Sequence, residues 1–330
     1  MLPPRRTTVH HPLRRSLSAA ALLTLWVAAA SAQSEVAAPA FSGRIEAGAA
    51  YVSTTDQLFA QGERRAGGLD DSADRSGAVL PVVLFDLRYR SEATGTEMFL
   101  GTPIEGNNRV GLTLGLGHPL EGVGTVELAA IASPWSEVWK DPYLTGVARD
   151  RTWSHEFGGR LGLQGIGGSG AGLSYTAINT RVTDDAAGER FASLRRSGWT
   201  HEVEAGYQIP LRPGVFLVPS LSAAIGDLDG AAEAYRSYEG GLAAQVVREQ
   251  AIVNLFVSAG RTRYGAEHPD FGERRHDSTF GGGAMATLPG LFGVPNLFAD
   301  VVVGYEVRDS DLGFFDAHTA VGAVALGYSL

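Results

Sequence analysis

The sequence predicts one all-β domain, an antiparallel transmembrane β-barrel of about fourteen strands, with twelve as the alternative count. Three observations carry this. From Phe41 onward apolar and polar residues alternate with a period of two. Short Gly/Pro turns interleave with longer polar loops, and aromatic residues gather at both ends of the apolar band.

The segments run as follows. The first is 42–54, and 80–90 sets Phe85, Leu87 and Tyr89 against Asp86, Arg88 and Arg90. After the short 95–101, segment 108–117 sets Val110, Leu112, Leu114 and Leu116 against Arg109, Thr113 and glycines. Segments 123–132, 153–165 and 170–182 lead to 199–210, where Val203, Ala205 and Tyr207 oppose Glu202, Glu204 and Gln208. Then come 214–226, 233–247, 250–264, 276–288, 295–307 and 316–330; in 295–307 the face opposite Val301, Val303 and Tyr305 carries Asp300 and Glu306, with Arg308 just beyond. The weakest patterns, 95–101 and 233–247, keep twelve strands open.

Tight turns at 91–94, 118–122, 166–169, 211–213, 248–249 and 289–294 alternate with long loops at 55–79, 133–152, 183–198, 227–232, 265–275 and 308–315 and a shorter one at 102–107. Seven loops against six turns place both ends of the barrel on the turn side. Tyr51, Tyr264 and Tyr305, with Trp153 and Trp199, are expected at the loop-side interface, and Tyr89, Tyr207 and Tyr328 at the other. A soluble sandwich also alternates, but it does not sort its connections and its aromatics in this way.

Residues 1–32 read as an export signal. Arg5, Arg6, Arg14 and Arg15 precede an apolar stretch from Leu17 to Ala30, and Ala30-Ser31-Ala32 fits a cleavage site after Ala32. Residues 33–41 then form a short extension and 42–330 the barrel, addressed to the cell outer membrane. The chain has no cysteine, which excludes disulfide, zinc-thiolate and thiol chemistry. A net charge of −9 without a basic tract argues against nucleic acid as a partner. All basic residues but Lys140 are arginine.

By parity the polar face collects Arg44, Glu46, Asp86, Arg88, Arg90, Arg109, Glu127, Glu156, Arg160, Glu202, Glu204, Asp300, Glu306 and Arg308. In a closed barrel this face lines the lumen, and around fourteen strands enclose more space than side chains fill. Either Arg–carboxylate pairs brace the wall or opposed ladders line a pore. Loop 133–152 holds Trp135, Trp139, Lys140, Asp141 and Tyr143, which either pack the rim, constrict the mouth or stack on a ligand.

Other motifs read as structural. His268 with Asp270, His276 with Asp277 and His318 near Asp316 offer general-base pairs, but no serine-centred signature accompanies them. Ile225 to Gly230 begins like a calcium loop without the remaining ligands. Gly165 to Gly172 is a turn between strands, with no helix after it to cradle phosphate. No metal or cofactor is expected. The pairs Arg64-Arg65, Arg195-Arg196 and Arg274-Arg275 lie in long loops, where guanidinium groups suit lipopolysaccharide phosphates or intra-loop carboxylates such as Asp74.

Several local motifs occur in a characteristic order: Tyr51-Val-Ser-Thr-Thr-Asp-Gln-Leu58, Phe85-Asp-Leu-Arg-Tyr89, Phe99-Leu-Gly-Thr-Pro-Ile104, Glu137-Val-Trp-Lys-Asp-Pro-Tyr-Leu-Thr-Gly146, His268-Pro-Asp-Phe271, and Asp309 through Asp316. In this order they resemble a Gram-negative family of exported proteins known as domain-of-unknown-function family 2860, over about residues 41 to 330. The resemblance implies an outer-membrane β-barrel and no assigned activity. Barrels of this kind end in an aromatic residue that the assembly machinery reads, whereas this chain ends Leu326-Gly-Tyr-Ser-Leu330.

The functional expectation is a porin-like channel for passive diffusion of small hydrophilic solutes, without enzymatic activity. A lipid-active barrel enzyme and a structural barrel with a plugged lumen are the alternatives.

Overall fold

The computed structural model describes residues 40–330 except 63, 70–72, 103 and 106–108; the expected export signal therefore lies outside the described residues. Fourteen strands form one continuous antiparallel sheet: β1 Phe41–Thr54, β2 Ser76–Arg90, β3 Glu97–Gly101, β4 Leu112–Leu120, β5 Gly124–Trp139, β6 Arg151–Gln164 and β7 Ala171–Val182. β8 is Gly198–Tyr207, continued after Gln208 by Ile209–Arg212, and then come β9 Val215–Leu228, β10 Tyr235–Val247, β11 Ile252–His268, β12 Glu273–Pro289, β13 Leu297–Ser310 and β14 Ala317–Ser329. Each strand pairs with its sequence neighbours, and β1 pairs β14 from Arg44↔Ser329 to Thr54↔Thr319. That last ladder closes the barrel and leaves no edge.

The two faces differ as the alternation requires. Outward side chains are apolar and open: Val79 and Leu221 are each 70% exposed, and Phe280 is 63% exposed. A water-soluble fold would bury these groups. Around a barrel they form the lipid-facing band. Tyr51, Trp199 and Tyr305 stand outward toward the long-loop end, and Tyr89, Tyr207 and Tyr328 toward the turn end. Two outward tyrosines are joined to histidines, Tyr175 Oη to His201 Nδ1 at 2.8 Å and Tyr305 Oη to His318 Nδ1 at 3.1 Å. Tyr264 departs from expectation: it faces inward, over the Arg275 guanidinium at 4.4 Å.

Inward glycines make room for inward rings. A Cβ on Gly115 would come within 2.2 Å of the Phe99 ring, and one on Gly283 within 2.6 Å of Phe256. The Phe256 ring therefore lies flat along the wall. Its row reads Val218–Ala243–Phe256–Gly283–Gly304–Val321–Val52–Ala78 from β9 through β14 and β1 to β2. This uncharged spiral on the lumen face was not anticipated from the charged residues around it.

Several strand boundaries differ from expectation; β11 runs on to His268 and β12 begins at Glu273, so the expected loop 265–275 shrinks to 269–272 and Arg274-Arg275 lies on a strand. β5 runs on to Trp139 through a bulge between Ser133 and Ser136, so the expected loop 133–152 shrinks to 140–150. Arg109 is not on the barrel wall. It sits in a two-residue ribbon, Ile104–Glu105 paired with Arg109–Val110, and its side chain lies outside the described residues.

The apolar band sets a direct test. Val303→Arg on the lipid face should cost about 2–4 kcal/mol in urea unfolding from vesicles, whereas Ser258→Arg on the lumen face should cost much less. Equal losses would contradict the inside–outside reading.

Candidate functional site: the lumen and its cap

The site has two parts, a charged wall and a lid of loops. On the wall, Arg44 Nε lies 3.2 Å from Glu46, Arg88 bridges Asp86 at 2.9 Å and Glu97 at 2.7 Å, and Arg160 Nε bonds Glu127 at 3.2 Å. Arg308 reaches out of the wall to Asp56 at 2.8 Å and to the Phe315 carbonyl at 2.7 Å. Glu97 was missed by sequence reasoning because β3 is only five residues long. Glu239 was missed because β10 alternates weakly, with Gly240 and Gly241 beside it.

With these two included, inward positions carry Arg44, Arg88, Arg90, Arg160 and Arg308 against Glu46, Asp86, Glu97, Glu127, Glu156, Glu202, Glu204, Glu239, Asp300 and Glu306. Negative charge is therefore in excess. It gathers on β8, β10 and β13, where Glu204 and Glu239 flank Ser222 in one row and Glu306 lies opposite Thr319. Arg–carboxylate pairs brace part of the wall, and the inward face is acidic on balance.

The long-loop mouth is covered. Ala66, Tyr143, Ala187, Leu194, Ala232, Leu312, Phe314 and Phe315 form a buried apolar cluster, with Phe271 packed against it. These residues come from six different connections, one of them carrying the short helix α1, Ala186–Arg190. Loop residues of this length need a reason to converge, and arginine supplies it. Arg149, 2% exposed, donates to the carbonyls of Gln57 and Pro142 at 2.9 and 3.0 Å and lies 4.5 Å over the Trp139 ring. Arg196 joins Asp185 at 2.9 Å to the carbonyls of Trp139 and Lys140, each at 2.8 Å. Arg190 ties Asp141 at 3.0 Å to Asp270 at 2.7 Å, linking three loops. Arg275 pairs with Asp277 at 2.9 Å and stacks 3.7 Å from the Phe315 ring centre.

The expected constriction residues thus build the cap. Trp139 is buried and donates its indole N–H to the Gln57 carbonyl at 3.2 Å. Asp141 and Tyr143 are buried in the lid, and Lys140 sits at its margin paired with Asp184. Trp135 lies in β5 with its side chain outside the described residues. Beneath the lid a cavity of about 200 Å³ is lined by Val52, Phe59, Val138, Trp139 and Tyr143 among others. There the Tyr143 hydroxyl donates to Glu233 at 2.5 Å, and burial pushes both groups above their ordinary pKa.

The three histidine–carboxylate pairs form no common centre. His268 is buried, with its Nδ1 accepting the Asp270 amide at 3.3 Å, His276 bonds Asp311 at 3.0 Å, and His318 bonds Tyr305. Among the described residues none of the three bonds a serine hydroxyl, and no group of three or more His, Asp or Glu could hold a metal ion. The arginine pairs also divide: Arg196 and Arg275 are internal braces, and Arg64 pairs with Asp150 at 2.9 Å.

A closed fourteen-strand barrel with a lipid-facing exterior, an acidic lumen and a loop cap defines a transmembrane barrel protein. The chain belongs to the family described as "Protein of unknown function (DUF2860)", whose model matches residues 40–329. No curated protein matches it by sequence. Solved structures share the general architecture at low similarity. A FadL homologue of Pseudomonas aeruginosa has a TM-score of 0.48 and 10% identity, covering 88% of this chain and 90% of that one. The outer membrane channel DcaP of Acinetobacter baumannii has a TM-score of 0.42 and 8% identity, covering 88% and 96%. The CymD monoaromatic hydrocarbon channel has a TM-score of 0.44 and 10% identity, covering 88% of each chain.

Two tests address the cap. Phe315→Ala, at a position 1% exposed, should cost the lid about 3–5 kcal/mol and make the long loops of the otherwise intact barrel sensitive to protease. His268 supplies a pH dependence. Burial beside Tyr143 and Phe271 lowers it from 6.5 to about 4, so the folded lid holds its proton less tightly than the open one. Its contribution is complete above pH 6.5 and fades as pH falls through that window toward 4. Glu233 acts in the opposite sense, so the comparison is with a variant: His268→Gln should flatten the acid-induced rise in loop proteolysis between those values.

Proposed function

We propose that this protein is an outer-membrane channel for passive diffusion of small hydrophilic solutes, that its lumen favours cations, and that the loop cap governs entry. The observation that carries the reading is the excess of inward carboxylate, in a barrel whose strand number lies between the filled eight-stranded and the open sixteen-stranded kinds. A low-dielectric wall of one dominant sign raises the local concentration of counter-ions. The export signal expected in residues 1–32 and the exposed apolar band support placement in an outer membrane with the long loops facing outside. Lipopolysaccharide is then the surrounding outer leaflet.

A second reading, a structural barrel held shut, draws on the fully buried Phe314 and Phe315 at the mouth. The lipid-active enzyme draws no support from the three separated histidines. Planar-bilayer recording of the refolded barrel separates the two remaining readings. The channel predicts discrete conductance steps with cation preference. Neutralising Glu204 and Glu239 to Gln should lower the cation-to-anion permeability ratio by about two-fold or more, and Phe315→Ala should raise the fraction of time spent open. A folded barrel that stays silent even as Phe315→Ala overturns the channel and leaves the closed barrel.

A further inference from the structure

Three arginines on the outward face of the barrel have no role in the lumen or in the cap. Arg236 on β10 lies directly opposite Arg263 on β11, and Arg261 lies opposite Tyr238. Strand neighbours two apart share a face, so all three point away from the lumen, and all three are exposed. Directly opposed side chains have Cβ atoms about 5 Å apart, and like charges placed so repel. Among the described residues no carboxylate lies within ion-pair distance of any of the three. Asp227, Glu267 and Asp309 are exposed on the same or nearby strands and form no ion pair with them.

Their height is equally specific. Tyr238, 63% exposed, marks the end of the lipid-facing band on β10, with Leu242 below it; on β11 Leu255 and Val257 lie below Arg261. Arg236 and Arg263 stand one outward-facing position beyond Tyr238 and Arg261, toward the long loops. The cluster therefore sits just above the hydrocarbon boundary. Three flexible guanidinium groups rooted at adjacent outward positions are within reach of a single phosphate group, which they can grip with paired, charge-assisted hydrogen bonds.

We propose that Arg236, Arg261 and Arg263 form a binding site for a phosphomonoester, supplied by the phosphorylated glycolipid of the outer leaflet. The inference rests on the orientation given above, long loops outward, and is independent of conduction. It also moves the expected lipid contact away from Arg196 and Arg275, whose guanidinium groups are already engaged inside the cap.

The test measures binding of detergent-refolded barrel to lipid A, to lipid A stripped of its phosphates, and to inorganic phosphate, by native mass spectrometry or by quenching of tryptophan fluorescence. Folding is checked in each sample by heat-modifiable gel mobility. The site predicts saturable binding of intact lipid A, at least ten-fold weaker binding after dephosphorylation, and a similar loss in Arg236→Gln/Arg261→Gln/Arg263→Gln. The exposed control pair Arg65→Gln/Arg195→Gln should bind as the parent does. Inorganic phosphate that competes only at high concentration identifies the glycolipid as the source, whereas tight binding of phosphate alone would overturn the glycolipid. Folded triple variant with unchanged lipid A affinity, or loss in the control pair instead, would overturn the site. If folding of the triple variant fails, Arg263→Gln alone should still weaken binding several-fold. Conductance of these variants should match the parent, so a silent channel and a failed lipid site are distinguishable results.

Discussion

Everything in this molecule depends on one constraint: within hydrocarbon, a backbone amide has no partner except another backbone group. The ladder between β1 and β14 meets it by joining the first and last strands over eleven register pairs, Arg44↔Ser329 through Thr54↔Thr319. Once that ladder forms, the alternation of each strand has a fixed meaning. One set of side chains faces lipid, the other encloses the lumen, and a shift of one residue would exchange them. The apolar outer band, the acidic lumen and the basic cluster on the outside at β10 and β11 are all consequences of closure with this register.

Closure by itself leaves an open mouth, and the chain answers this with arginine rather than with more strand. Carboxylates alone would repel across the opening, and a lysine offers one charge with no planar fork. A guanidinium can donate to several partners at once, which is how Arg196 holds a carboxylate and the carbonyls of Trp139 and Lys140, and how Arg190 joins Asp141 to Asp270. The aromatic cluster around Phe314 and Phe315 supplies the apolar burial, while these forks set which loops meet. Arg308 anchors the lid to the barrel wall through Asp56 and the Phe315 carbonyl.

The lumen is less uniform than a polar face implies. Phe256 lies along glycines instead of projecting into the channel, and its row presents an uncharged spiral between charged positions. The wall thus combines carboxylates on β8, β10 and β13 with an uncharged track that crosses β10 and β13 at another level, at Ala243 and Gly304.

Period-two alternation and the two classes of connection were enough to read from the sequence a closed antiparallel barrel of about fourteen strands, with twelve left open. These are local properties, repeated fourteen times, and each repeat constrains the same answer. Tertiary structure alone decided the rest. Trp139 follows a bulge that resets the alternation, so its burial under loop 55–75 has no local signature. Tyr264 reads as an interface aromatic, but it is in phase with inward Phe256 and Thr262 and lies over Arg275 beneath the cap. Arg236, Arg261 and Arg263 are unremarkable in sequence order, because Arg236 and Arg263 are separated by a whole hairpin and become neighbours through register. Contacts among loops distant in sequence depend on chain closure, and no local periodicity encodes them.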